Sequence, residues 1–93
     1  MNLQFVWDEQ KAETNAHKHG VTFEEAATVL MDSLAAIFDD ERHSQHEARE
    51  LIIGRSTRGR LIIVSFVERS DAIRIISARL ATPKERRDYE NNR

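Results

Sequence analysis

The sequence predicts an α+β domain with two N-terminal helices, a four-stranded antiparallel sheet and a C-terminal helix. Three observations carry this. Residues 8–30 hold two segments that each begin on a helix-capping residue. Residues 49–80 contain three runs rich in Ile, Val, Leu and Phe, joined by short polar turns. Thr82-Pro83-Lys84-Glu85 then has the pattern that opens a helix, a capping threonine with proline first and glutamate third.

The elements follow in order. Gln4 to Trp7 is a short extended segment that can supply an extra N-terminal strand. Asp8 caps a helix running to about His19, and Gly20 stops it. Thr22 caps a second helix and Glu25, three residues on, completes a capping box. Phe23, Ala26, Ala27 and Leu30 give that helix one apolar face. From Leu34 the period changes to that of a strand, through Phe38, and a polar loop follows from Asp39 to Glu47. Arg49 to Ser56, Arg60 to Val67 and Ala72 to Leu80 are strands. Thr57-Arg58-Gly59 suits a three-residue hairpin with glycine at the left-handed position, and Glu68 to Asp71 suits a four-residue one. Such short links force antiparallel neighbours.

Pairing Ser56 with Arg60 and Val67 with Ala72 places Ile52, Val64, Phe66, Ile73 and Ile75 on one face of the sheet. Leu51, Ile53, Leu61, Ile63, Ile76 and Leu80 fall on the other. Both faces are apolar, and the N-terminal helices can cover only one. The closing helix offers Tyr89 as its single sizeable apolar residue. The second face therefore calls either for a protein partner or for a sheet curled enough to satisfy itself.

At 93 residues the chain is a single domain, residues 1–93, with a small core. It has no cysteine, which removes disulfides, thiolate metal sites and cysteine nucleophiles. No apolar run approaches the roughly 20 residues of a membrane span, and the N-terminus lacks the pattern of a signal peptide, so a cytoplasmic location is expected. The net charge of −2 hides an asymmetry. Residues 1–48 carry three basic and ten acidic side chains, net −7, and residues 49–93 carry eleven basic and six acidic, net +5. The second half's cations are nearly all arginine, suited to phosphate or carboxylate. Either an anionic partner or mutual neutralisation of the two halves accounts for this.

The candidate chemistry is narrow. There is no glycine-rich phosphate loop, no Gly-x-Ser-x-Gly and no evident pair of catalytic carboxylates. His43-x-x-His46 is a poor match to a metal site, and no metal or other cofactor is expected. His19 ends the first helix on the same face as Asn15. It is either a complement to the helix dipole or an acid–base group. In the pairing above, Arg60 and Arg79 oppose each other, close to Ser56 and Ser77. Like charges so placed are tolerated when solvated or when an anion lies between them. Arg86, Tyr89 and Glu85 share one face of the last helix, where the arginine and tyrosine could hold a phosphate and its base. These groups fit metal-free work on a phosphodiester or simple anion binding.

Three stretches together resemble the BrnT family. The first is Phe5-x-Trp7-Asp8-x-x-Lys11-x-x-x-Asn15-x-x-Lys18-His19-Gly20-Val21-x-Phe23-Glu24-Glu25-Ala26. The second is Ile53-Gly54-Arg55-Ser56 with Gly59-Arg60. The third is Ile73-Arg74-Ile75-Ile76-Ser77-Ala78-Arg79, followed by Ala81-Thr82, Glu85-Arg86 and Tyr89-Glu90. Val6 departs from the family pattern, and the loop from Asp39 to Ala48 is variable. The resemblance implies a RelE-like fold and a bacterial ribonuclease toxin of a type II toxin–antitoxin pair that inhibits translation. It implies a partner, a BrnA-like antitoxin with a ribbon-helix-helix domain, and repression of the shared operon through the antitoxin on operator DNA. It also implies metal-independent cleavage of RNA, with His19, Arg55, Arg60 and Arg79 as catalytic candidates. Lys18, Arg74, Arg86 and Tyr89 are then candidates for binding RNA. The alternative is an inactive homologue that acts only as antitoxin-binding co-repressor or as an anion-binding module.

Overall fold

A computed structural model of the chain describes residues 3–43 and 47–92. The elements are β1 (Gln4–Val6), α1 (Glu9–His19), α2 (Phe23–Val29), β2 (Ala36–Asp39), a 3-10 turn (Glu41–His43), β3 (Glu50–Arg55), β4 (Leu61–Arg69), β5 (Ala72–Leu80) and α3 (Pro83–Asn91). The sheet has five strands in the order β1-β5-β4-β3-β2. The pairs β2/β3, β3/β4 and β4/β5 are antiparallel, whereas β1 lies parallel to β5, with Phe5 beside Ile73. The sheet is thus mixed and not the expected four-stranded antiparallel one. The RelE-like description of helices, antiparallel sheet and helix holds only in part.

Local chemistry accounts for the helix ends. The Asp8 carboxylate accepts from the backbone N–H groups of Gln10 (2.8 Å) and Lys11 (3.1 Å), and Gly20 closes α1 at φ 69°, a conformation that favours glycine. Thr22 caps α2 through the Glu25 amide, and Thr82 with Glu85 forms a complete capping box on α3. The Thr57–Gly59 hairpin forms as expected, with Gly59 at φ 78° and the Ser56 amide donating to Arg60 O at 2.9 Å.

The other hairpin corrects the expected register. Arg69 pairs with Ala72, so the turn has two residues, Ser70 and Asp71, rather than four. A bulge then intervenes, because Phe66 pairs with Ile75 but Ser65 pairs with Ser77, leaving Ile76 without an opposite residue. Arg79 consequently faces Ile63 and not Arg60, and Leu80 moves to the face of Ile62.

Both faces carry apolar clusters. Val21, Phe23, Ala26 and Val29 pack on Ile52, Ile62, Val64, Phe66, Ile73 and Ile75, with Trp7 edge-on to Phe23 at 5.9 Å. On the other face Tyr89 of α3 covers Ile53, Leu61 and Ile63. That cover is incomplete. Leu34 (60%) and Phe38 (47%) remain exposed, and every residue of the edge strand β2 is exposed. Gly54 lets β3 approach the α2–β2 connection, since a Cβ there would lie 2.8 Å from Ala35 Cβ and 2.9 Å from Asp32 Oδ2.

Candidate active site

The site begins with a side chain that does the work of a strand. Asn15 is buried in the middle of α1. Its Nδ2 donates to Ala78 O (2.8 Å) and Val21 O (3.0 Å), and its Oδ1 accepts from Ala78 N at 3.1 Å. β1 pairs only with residues 72–74, so Asn15 supplies the outer partner that β5 lacks further along. This ties α1 to the edge of β5. It also carries His19, one turn on, to the sheet face opposite the main core.

There a small pocket of about 160 Å³ gathers His19, Ser65, Ser77, Arg79 and Glu85 over the apolar floor of Leu51 and Ile63. Arg79 makes a bidentate pair with Glu85 (2.8 and 2.9 Å). Glu85 also accepts from the Thr82 amide at 2.8 Å. The Arg79 guanidinium holds the Glu85 carboxyl down at about 2, and the carboxylate raises Arg79 in turn. Beside the pocket lies a larger apolar groove of about 710 Å³ between α3 and β2, lined by Leu34, Ala36, Ile53, Asp88 and Tyr89. Phe38, Ile63 and Glu85 line both.

The remaining candidates fall elsewhere. Arg60 donates from Nε to Glu25 Oε2 (2.9 Å), from Nη2 to Glu25 Oε1, and from Nη2 to Gly20 O (3.0 Å). It is therefore bound to the carbonyl just after His19, away from Arg79. Ser56 (2.7 Å) and Arg58 (3.3 Å) complete the buried Glu25 cluster. Hydrogen bonding from Arg60 lowers the Glu25 carboxyl from 4.5 to about 2, outweighing the burial that raises it. Arg55 reaches Gly59 O and Glu90, both at 3.3 Å, and so ties β3 to the end of α3. Lys18 is exposed and lines a surface hollow with Gln10, Glu13, Thr14 and His17. Arg74 lies five residues before Arg79 on β5, about 16 Å along the strand.

Arg86 is exposed, but Tyr89 is buried and its hydroxyl donates to Leu34 O at 3.2 Å. The expected cluster of Arg86 and Tyr89 is therefore split: Glu85 and Tyr89 turn inward and Arg86 outward. His43 hydrogen-bonds Asp40 at 3.0 Å, and His46 lies outside the described residues. Among the described residues no group of three histidines or carboxylates is placed to hold a metal ion, and no helix is long and apolar enough to cross a membrane.

Two residues escaped the sequence reading. The capping box expected of Thr22 and Glu25 is only half made: the Glu25 amide bonds Thr22, but its carboxylate is the buried acceptor of the Arg60 pair. The signal is that the residue four positions on, Val29, is apolar, which sets Glu25 at the border of the helix's apolar face. Ser65 is the one polar residue in the otherwise apolar run from Leu61 to Val67.

A search of curated proteins gives no match. Among solved structures, the fold is similar to the 1.1 Å crystal structure of the ribonuclease toxin BrnT of Brucella abortus, with a TM-score of 0.69 and 28% identity. The match covers 87% of this chain and 99% of that one. The family model described as ribonuclease toxin, BrnT, of type II toxin–antitoxin system matches residues 7–85, a span that includes both helices of the N-terminal pair, the sheet from β2 to β5 and the His19–Arg79 pocket. The chain belongs to the BrnT family of ribonuclease toxins.

Proposed function

We propose that this chain is the toxin of its pair and cuts RNA endonucleolytically in the cytoplasm without a metal ion, inhibiting translation. The observation that carries the reading is that His19 and Arg79, far apart in sequence, line one pocket, beside the exposed Ser77. The chemistry is transesterification. The ribose 2′-oxygen forms a bond to the neighbouring phosphorus, the bond from phosphorus to the 5′-oxygen breaks, and a 2′,3′-cyclic phosphate results. His19 takes the proton from the 2′-hydroxyl and delivers it to the departing 5′-oxygen. Arg79 stabilises the added charge on the phosphoryl oxygens. Arg60 acts from behind, holding the Gly20 carbonyl and with it the end of α1. Arg55 fixes α3 through Glu90. Lys18, Arg86 and, further along the sheet, Arg74 provide cationic contacts to the RNA backbone, whereas Tyr89 supports the pocket wall from within the core.

The partner in this reading is a BrnA-like antitoxin whose ribbon-helix-helix domain carries the complex to operator DNA, so that toxin and antitoxin together repress their operon. The groove between α3 and the open edge of β2 is the surface it covers. That groove shares Phe38, Ile63 and Glu85 with the pocket, so an occupant would obstruct RNA.

The test is RNA cleavage by purified chain freed of antitoxin, in excess EDTA, beside His19→Gln and Arg79→Ala. Cleavage that the variants lose supports the proposal. Cleavage only with an added divalent ion refutes the metal-independent mechanism. Intact RNA under both conditions leaves the co-repressor alternative.

A further inference from the structure

Ser65 sits on the central strand β4, 8% exposed, and its hydroxyl is the one buried side-chain oxygen or nitrogen without a hydrogen-bond partner among the described residues. Its neighbours Ile63, Val64, Phe66 and Val67 are all buried and apolar, so packing gives no reason for a hydroxyl there. The residue lies at the bulge. Ser65 and Ser77 form the pair next to the register shift, which brings two serines opposite each other on the face that carries the pocket. Arg79 stands two residues beyond Ser77 on the same strand. Of its five N–H donors, one on each of Nη1 and Nη2 serves Glu85, and the second on Nη1 reaches Leu80 O at 3.3 Å. Nε–H and one Nη2–H have no partner among the described residues.

We propose that Ser65, with Ser77 and Arg79, forms a subsite for one phosphoryl group of the RNA backbone. Ser65 is its buried donor to a non-bridging oxygen. The assignment rests on the ribonuclease reading for the identity of the ligand. A hydroxyl donor suits this place better than a second cation would. It recognises a phosphoryl oxygen without placing another charge beside Glu85 and the apolar floor. The pocket's size agrees, since about 160 Å³ is small beside the roughly 300–1,000 Å³ of sites that enclose a whole small molecule.

The experiment titrates the chain with inorganic phosphate and follows backbone amide resonances by NMR, for the parent, Ser65→Ala and Ser77→Ala, with RNA cleavage and melting temperature measured on the same samples. Phosphate should shift the amides of residues 65 and 77–79 in the parent. Ser65→Ala should weaken phosphate binding and lower kcat/KM for RNA on the order of 10-fold or more, the range for a hydrogen bond to a charged group. Its melting temperature should stay level or rise, because it removes a buried hydroxyl that no protein group satisfies. Ser77→Ala, at an exposed position, should weaken binding with no loss of stability. Ser65→Ala that binds phosphate and cuts RNA like the parent overturns the subsite, as does a parent that cuts RNA while phosphate leaves these amides unmoved. A parent that binds phosphate here but leaves RNA intact keeps the subsite and refutes the ribonuclease reading.

Discussion

Replacing Glu25 by glutamine removes one charge and keeps the side chain's shape. It therefore isolates the ion pair at the centre of the α2–hairpin contact. In the parent, Glu25 is 4% exposed and receives hydrogen bonds from Ser56, Arg58 and Arg60. These hold its carboxyl at about 2 against an ordinary 4.5. At about 1.4 kcal/mol per unit, the preference of the fold for the ionised form is about 3 kcal/mol. Glu25→Gln should lose about that much at pH 7, and more if Arg60 stays buried without its anion. For a domain of this size the melting temperature should fall by about 12–24 °C. Because folding lowers this pKa, the contribution is complete above pH 4.5 and fades as the pH falls toward 2. The two proteins should thus converge in acid. Urea denaturation at several pH values between 7 and 2 measures the gap. A variant within about 0.5 kcal/mol of the parent at pH 7, or a gap that stays constant down to pH 2, would refute this reasoning.

Other substitutions probe other joints. Asn15→Ala strands Ala78 N–H, Ala78 C=O and Val21 C=O, and should cost about 2–4 kcal/mol and speed hydrogen exchange at the Ala78 amide more than at Val64. Gly54→Ala forces a Cβ against Ala35 and Asp32 and should lower stability by about 1–3 kcal/mol in chemical denaturation. Arg79→Ala gives up a partly exposed pair, so its stability should change by no more than about 1 kcal/mol, while RNA cleavage falls about 10²–10³-fold. Unfolding with retained cleavage would make Arg79 an anchor for α3 only.

Local rules made much of the fold legible. Asp8, Thr22 and Thr82 cap as their types and positions dictate, and Gly20 and Gly59 take the left-handed turns expected of them. The assignment of Ile52, Val64, Phe66, Ile73 and Ile75 to one face also holds, because side-chain alternation survives a change of partner. What could not be read depends on distant pairing. Gln4 to Trp7 is legible as a short extra strand, but its parallel partner β5 lies some seventy positions away, and nothing local marks that pairing. The two-residue turn already moves Arg79 off Arg60, and the bulge at Ile76, which leaves no mark in the sequence, puts it opposite Ile63, on the face where it meets Glu85. Glu25 had a plausible partner three residues off, and only the fold shows that Arg60 takes it. The candidate site shares this fate: His19 is legible as a helix-end histidine and Ser77 as a neighbour of Arg79, but Ser65 and the meeting of these groups in one pocket are not.

The charge asymmetry between the halves acquires a physical meaning from these pairs. Glu25 with Arg60 and Glu47 with Arg69 join the acidic half to the basic one, and Arg55 is taken up by Glu90. Most of the sheet arginines are thus tied to carboxylates, and arginine content alone overstates the surface open to RNA. Arg79 differs in how it is held. Its bidentate partner is the third residue of α3, and that residue is also half of the capping box, so the guanidinium is oriented by the helix that borders the apolar groove. An arginine fixed this way loses little further freedom when an anion approaches its remaining N–H groups, which favours pre-organised binding of charge that develops during reaction. The same arrangement couples pocket and groove. Glu85, Asp88 and Tyr89 all belong to α3, so a partner seated in the groove would press on the helix that holds the Arg79 guanidinium. Occlusion of the pocket and displacement of its cation would then be two consequences of one docking event.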